Sequence, residues 1–343
     1  MKRLIVILSA LLSCSILSRA GDFDVKEYLF GHIKDSYEWH ITDWKGEAVA
    51  VPLPIIAFSS NSGAHCFLSS RLEDGERYEG LYIAYEGKYQ GKLVEDGPDG
   101  KQIRPLDISI TKNVLALMVA AALLLCLILS CSRWYRTHDA TKEAPTGIAG
   151  LLEPVIEMID QDVIKASIGP GYERFSPYLL TAFFFILINN LLGIIPIFPG
   201  GANVTGNIAV TLALAVFTFL AVNLFGNKHY FKEIFWPDVP VFLKAIPIMP
   251  VIEIVGMFTK PFSLMIRLFA NIMAGHILLL SVIAVIFITA SLGPVLCGSM
   301  SFVAVLFGIF MDCLELLVAF IQAYVFTMLS SVFIGMAHPS EEN

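Results

Sequence analysis

Two patterns divide the chain. Up to about residue 106, apolar and polar residues alternate in short stretches, and beyond it apolar residues run on without a charge for long distances. In the first part, YEWHITDW alternates, Lys45-Gly46 suits a turn, and EAVAVPLPIIAF follows. EGLYIAYEGKYQGKLVEDGPDGK reads as a further hairpin with glycine-rich ends. Residues 21–106 are expected to form a small antiparallel sheet. In the second part no Asp, Glu, Lys, Arg or His lies between Arg174 and Lys228. No Asp, Glu, Lys or Arg lies between Arg267 and Asp312, or between Glu315 and Glu341. A membrane helix needs about 20 mostly apolar residues. Spans are predicted near 111–132, 178–198, 204–226, 248–290 and 299–337, which makes residues 107–343 a membrane domain with five passes. The last two exceed an upright crossing, so they must tilt or kink. They predict a long hairpin around SLGPVLCGS. The fold class is an all-α polytopic membrane protein with a small β-rich domain ahead of it.

One helix does not fit this scheme. In GIAGLLEPVIEMIDQDVIKASIG, Leu151, Leu152, Val155, Ile156, Ile159 and Val163 recur at helical spacing. Glu153, Glu157, Asp160 and Asp162 fall elsewhere on the turn. An amphipathic helix over about 147–168, lying at the membrane interface, is the expectation.

Composition supports the membrane class. Hydrophobic residues make up 56% of the chain and charged ones 15%, with 25 Phe, whereas soluble domains carry about 25% charged residues. MKRLIVILSALLSCSILSRAGD has a basic start, a short apolar run and a small residue at Ala20, the form of a secretory signal over residues 1–20. Cleavage after Ala20, lipidation at Cys14 and retention as an anchor are the three outcomes open to it. Residues 21–106 then face outward. The basic RWYRTHDATK, GNKHYFKE and Lys244 mark the cytoplasmic side, with the carboxyl end also inside. His32, His40 and His65 lack metal-ligand spacing and read as surface histidines; Cys66 is the only cysteine of the exported part, against a disulfide framework. Cys126, Cys131 and Cys313 lie in apolar spans as small hydrophobes.

Ionisable groups within lipid carry the chemistry. An arginine at the bilayer centre costs roughly 2.5–3.5 kcal/mol on insertion scales, so such residues mark ion or proton routes by default. Arg267, His276, Asp312 and Glu315 lie within the long hairpin, with Glu253 and Lys260 near its start. Lys260, next to Pro261, reads equally well as an interfacial residue at a helix edge. At about 100° per residue, Asn271 shares the face of Arg267, Glu253 falls within roughly 40° of it, and His276 points about 180° away. On the last helix Asp312, Glu315 and Gln322 share a stripe. A His–Glu pair across the hairpin suits proton relay, because imidazole titrates near neutrality. Arg267 keeps its proton at physiological pH, so its role is to block a cation or attract a carboxylate.

These residues also carry a resemblance. FTKPFSLMIRLFANIMAGH closely resembles the signature of subunit a of the F-type ATP synthase, in which Lys260, Pro261, Ser263, Leu264, Arg267, Leu268, Phe269, Asn271, Ala274 and Gly275 all match. LELLVAFIQAYVFTMLSSVFIGMA resembles the family's last helix, with Gln322 at its glutamine. LINNLLGIIP places Asn190 and Pro196, and IEIVGMFTKP places Glu253, on further family positions. The likeness covers about residues 105–337. It implies a bacterial inner-membrane stator channel beside a rotating ring of c subunits, assembled with a b-subunit peripheral stalk, the remaining FoF1 subunits and membrane lipid. Arg267 would separate two aqueous half-channels. His276, Glu315, Gln322 and Asn190 would line the outer one and Glu253 the inner. In some branches the acid and the histidine are exchanged; here His276 comes first and Glu315 second. Gly193 stands where some members have an acid, and Asp312 is the candidate substitute. No cofactor and no nucleic acid are implied. The transported ion is H⁺, with Na⁺ the alternative.

Each proton crossing the potential yields about 2.3 kcal/mol per 100 mV, too little to make ATP singly, so a rotor must pool several. No GxxxxGK[ST] occurs, and the Gly-Lys pairs at Gly87, Gly91 and Gly100 lack a following Ser or Thr, so the chain is expected to make no ATP itself. Two other classes remain: a secondary transporter with its own substrate site, for which no inverted repeat is visible, and an envelope-anchored binding protein, which leaves Arg267 and Glu315 unexplained.

Overall fold

The computed structural model describes residues 34–44, 47–59, 63–97, 101–139, 142–195, 200–235, 248–290 and 294–338. The signal segment with Cys14 and Ala20, His32, the Lys45-Gly46 turn, Pro196 and Lys244 lie outside these residues.

The first part is β-rich and antiparallel throughout, as the alternation predicts. β1 (Glu38–Trp44) pairs with β2 (Glu47–Pro52), the hairpin anticipated around YEWHITDW. β3 (Pro54–Ser59) is flanked by β4 (Gly63–Leu68) and β8 (Leu106–Asp107). β5 (Leu81–Ile83) pairs with β6 (Leu93–Asp96), the second anticipated hairpin, and β6 with β7 (Gln102–Ile103). The expected single sheet is therefore three small ones. Short strands broken by Pro and Gly cannot extend one continuous ladder. Tyr37, Ile55, Ala57, Leu72, Leu81 and Leu93 close the core between them. His65 corrects the surface reading: it is buried and pairs with Glu79.

α1 (Lys112–Thr137) starts where Thr111 caps it, its side chain accepting from the Val114 N–H. It runs on through Arg133 and Arg136, past the expected end of the span at residue 132. The amphipathic segment is helical, as α2 (Ile148–Glu157), a π-helical stretch over Met158–Lys165 and a turn over Ala166–Ile168. Its buried face carries Ile159, Val163, Ile164 and Ile168, while Leu151, on the expected apolar stripe, is 73% exposed. α3 (Ser176–Ile194) and α4 (Ile208–Leu224) follow. α4 is shorter than its predicted span because Asn207 caps it, accepting from the Ala209 N–H, and residues 200–207 form a loop. α5 (Lys228–Phe235) precedes the long pair α6 (Ile248–Ala290) and α7 (Pro294–Ala337).

Four of these helices, α1, α3, α6 and α7, are long and apolar enough to cross a membrane. α4, at 17 residues, falls just short of that length. The polytopic class stands. α6 begins and ends where expected; α7 starts at Pro294, earlier than the expected residue 299. At 43 and 44 residues, each is about 65 Å long at 1.5 Å per residue. The hydrocarbon core is about 30 Å thick, so neither can stand upright in it. Pro261 sits inside α6 instead of marking an edge. α7 packs on α6 and α3, and α4 packs on α6. Phe183, Leu179, Ile186, Leu268 and Ile334 lie at the centre of that core.

Candidate functional site

The hairpin brings one titratable residue from each of its facing helices together. His276 Nδ1 of α6 lies 3.4 Å from Glu315 Oε1 of α7. Glu315 is buried, and the His276 side chain is only 16% exposed. Small residues make room for the pair. A Cβ at Gly275 would stand 3.4 Å from Glu315 Oε1, and one at Gly193 of α3 would stand 3.6 Å from His276 Nε2. One imidazole nitrogen thus faces the carboxylate and the other faces α3. A side chain at position 193 would meet that second nitrogen.

Asn190 lies one turn before Gly193, on the same side of α3. Its Nδ2 donates to the Ala319 carbonyl of α7 at 3.2 Å, and its Oδ1 accepts from the Thr205 hydroxyl at 2.7 Å. Ala319 is one helical turn beyond Glu315 and three residues before Gln322, which is also buried. His276, Glu315, Asn190 and Gln322 therefore line one interior surface where α3, α6 and α7 meet. Thr205 belongs to it but was not singled out from the sequence. Its only signal there was a polar residue in NVTGN, next to apolar spans. Asn189 is buried beside Asn190 and donates to the Phe185 carbonyl.

Arg267 and Asn271 lie on the other side of α6. Both are exposed, and Arg267 makes no ion pair among the described residues. Leu264 and Leu268, on either side of Arg267, are buried. This is the opposition of faces that helical geometry predicted for Arg267 and His276. Asp312 breaks the predicted stripe: it is exposed, whereas Glu315 and Gln322 point inward. A spacing of three residues turns about 300°, so the stripe is only as wide as the packing allows.

Nearer the start of α6, Glu253 is exposed, close to Tyr230 of α5. Burial pushes the Tyr230 phenol above its ordinary value, and the Glu253 charge adds to that. Tyr230, Met257, Lys260, Pro261, Thr218, Asn223 and Phe333 surround a cavity of about 10 Å³. The Thr218 hydroxyl lies 3.1 Å from the Tyr178 hydroxyl and 3.3 Å from that of Ser330. The described residues hold no cluster of three His, Cys, Asp or Glu able to bind a metal.

A tilted helical hairpin with an arginine on one face and a His–Glu pair inside defines a membrane protein built around buried ionisable groups. The sequence profile of the ATP synthase A chain matches residues 114–335, and that of a domain of unknown function, DUF8433, matches residues 28–108. ATP synthase subunit a of Chlorobium phaeobacteroides (strain DSM 266) is 46% identical over 243 residues, 69% of this chain and 67% of the relative. That of Chloroherpeton thalassium is 43% identical over 249 residues, 71% of this chain and 70% of its own. That of Myxococcus xanthus is 41% identical over 239 residues, covering 68% and 74%. The chain belongs to the ATP synthase A chain family, the subunit a of F-type ATP synthases.

Proposed function

We propose that this chain is the stator proton channel of its ATP synthase, passing protons to and from a carboxylate on a neighbouring ring of c subunits. The observation that carries the reading is the division of α6: Arg267 exposed on one face, His276 paired with buried Glu315 on the other. A permanent cation at a lipid-level surface is costly unless an anion meets it. A ring carboxylate passing Arg267 supplies that anion, and the guanidinium, which cannot release its proton, denies ions a direct crossing.

On this reading the outer half-channel runs by Asn190, Gln322, Glu315 and His276 to the ring, and the inner one leaves past Glu253. Asn271 shares the ring-facing side with Arg267. The chain crosses the bacterial inner membrane five times, with its β-rich domain outside and its carboxyl end in the cytoplasm, and α4 crosses with help from the loops at its ends. It holds no catalytic site of its own. It works with the c ring, a b-type stalk and the soluble head, and it carries H⁺.

Single cysteines at positions 263, 266 and 270, tested for cross-linking in native membranes, address the ring contact. Adducts with a small ring-forming subunit are expected. Adducts only with lipid-soluble reagents, in a complex that still makes ATP, would remove the ring from this face.

A further inference from the structure

The exported domain does not hang free of the membrane part. Trp39 of β1 is 3% exposed, and it shares one buried apolar cluster with Ala116 of α1 and with Ala202 and Val204 of the 200–207 loop. Backbone contacts fix the same junction: the Ser36 carbonyl accepts from the Lys112 N–H at 2.9 Å, and Asp35 Oδ1 accepts from the Asn113 N–H at 3.0 Å. The loop itself has neither helix nor strand, so its position is set by what it touches. On one side it is tied to α3, with Gly201 N–H donating to the Leu192 carbonyl at 3.0 Å. Between these ties stands Thr205, fully inside, donating to Asn190. The Ala202 carbonyl also lies 3.6 Å from where a Gly193 side chain would begin, beside His276. One run of contacts therefore leads from an indole in the exported domain to the polar surface around Glu315.

We infer that Trp39 is a positioning residue for proton entry: packed on Ala202 and Val204, it holds the loop that sets Thr205 against Asn190. This rests on the channel reading above. An indole is a large, rigid body with a wide apolar contact area. Its loss leaves the loop without its outer support, and the Thr205–Asn190 contact shifts with it. The exported domain, in this account, is a brace at the outer mouth of the path.

The test uses the assembled complex in native membrane vesicles, comparing proton flux with ATP hydrolysis across a range of pH on the outer side. Trp39→Ala is expected to lower flux by about tenfold, the scale on which small misplacements near reacting groups act, while Trp39→Phe retains most of it. The loss should be greatest at high outer pH and shrink as protons become abundant there, because entry has become limiting. A mere shortage of assembled complex lowers flux equally at every pH, and that outcome would overturn the inference, as would a wild-type profile in Trp39→Ala. Should that chain fail to accumulate, Thr205→Val takes its place: the same pH-dependent loss supports the inference and a normal profile refutes it. Tyr85→Ala, at a 61% exposed position of the same domain, serves as the neutral control. Arg267→Ala in parallel separates the two ideas, since lost coupling there with normal flux in the Trp39 variants defeats the brace and leaves the channel standing.

Discussion

His276 and Glu315 face each other across the α6–α7 hairpin, with Nδ1 3.4 Å from Oε1. Forty-odd residues of apolar helix on each side bring together two groups that lie far apart in the chain. Such a pair can pass a proton between its members without moving the backbone. Replacing Glu315 by Gln keeps the shape and removes the exchangeable charge. We expect proton flux through the complex to fall by about 10²-fold, the lower range for a lost acid–base group, and its pH profile to change form. A slower flux with an unchanged profile would mean that the carboxylate only shapes the site.

Arg267 is tested by its two nearest substitutes. Arg267→Ala should abolish ATP synthesis coupled to respiration while the soluble head still hydrolyses ATP. Arg267→Lys should fail to restore synthesis, because an ammonium lacks the planar fork and the permanent charge of guanidinium. Normal synthesis in either variant would remove the assigned role.

Gly193 offers a gain of function. A Cβ there would stand 3.6 Å from His276 Nε2, so Gly193→Asp places a carboxylate beside the nitrogen that Glu315 does not use. Combined with Glu315→Gln, it should recover part of the lost flux. The double variant behaving no better than Glu315→Gln alone would show that the relay needs its acid on α7.

Asn190 joins α3 to both α7 and the 200–207 loop. Asn190→Leu leaves the Ala319 carbonyl and the Thr205 hydroxyl without this partner inside the protein, a cost of about 1–3 kcal/mol for each buried group left unmade. A lower unfolding temperature of the detergent-purified chain, together with reduced flux, is the expected result; unaltered values of both would remove the asparagine from the path.

In the β-rich domain, the Tyr37 hydroxyl donates to Asp107 and accepts from the Leu93 N–H at 3.2 Å. Burial, then the bond to Asp107, pushes the phenol above its ordinary value. The folded state thus favours the protonated form. That stability is complete below the ordinary phenol value of about 10 and is lost as the pH climbs past it. Hydrogen exchange around residue 93 should accelerate in alkali for this reason. Tyr37→Phe should already exchange faster at neutral pH, by about 1–3 kcal/mol of local opening, and lack this group's alkaline step.

Much of this architecture could be read from charge spacing alone. The gaps between Arg174 and Lys228 and between Arg267 and Asp312 located the long helices, because a bilayer excludes unpaired charge whatever the tertiary fold. The 100° rule separated the faces of Arg267 and His276 correctly, since a helix through lipid keeps its period. What the sequence left illegible depends on partners remote in the chain. Asp312 and Glu315 looked equivalent on one stripe, and only the seat of α3 against α7 buries one and leaves the other exposed. Ile164 and Ile168 lay outside the apolar stripe read from the sequence, yet both are buried, the first within the π-helical stretch and the second just after it. Thr205 gave only the weak signal of a polar residue beside apolar spans, and Trp39 none, because a loop threonine and a strand tryptophan acquire meaning only from what they touch.

Pro261 has a consequence for the first part of α6. Proline has no N–H, so the Met257 carbonyl one turn earlier loses its usual helical donor. That oxygen belongs to a residue lining the cavity of about 10 Å³ beneath Lys260 and Phe333, a volume near that of one probe-sized water. A helix interrupted in this way leaves a carbonyl free to hold a water that an unbroken helix would have no use for, so the break supplies a polar foothold inside an otherwise apolar rod.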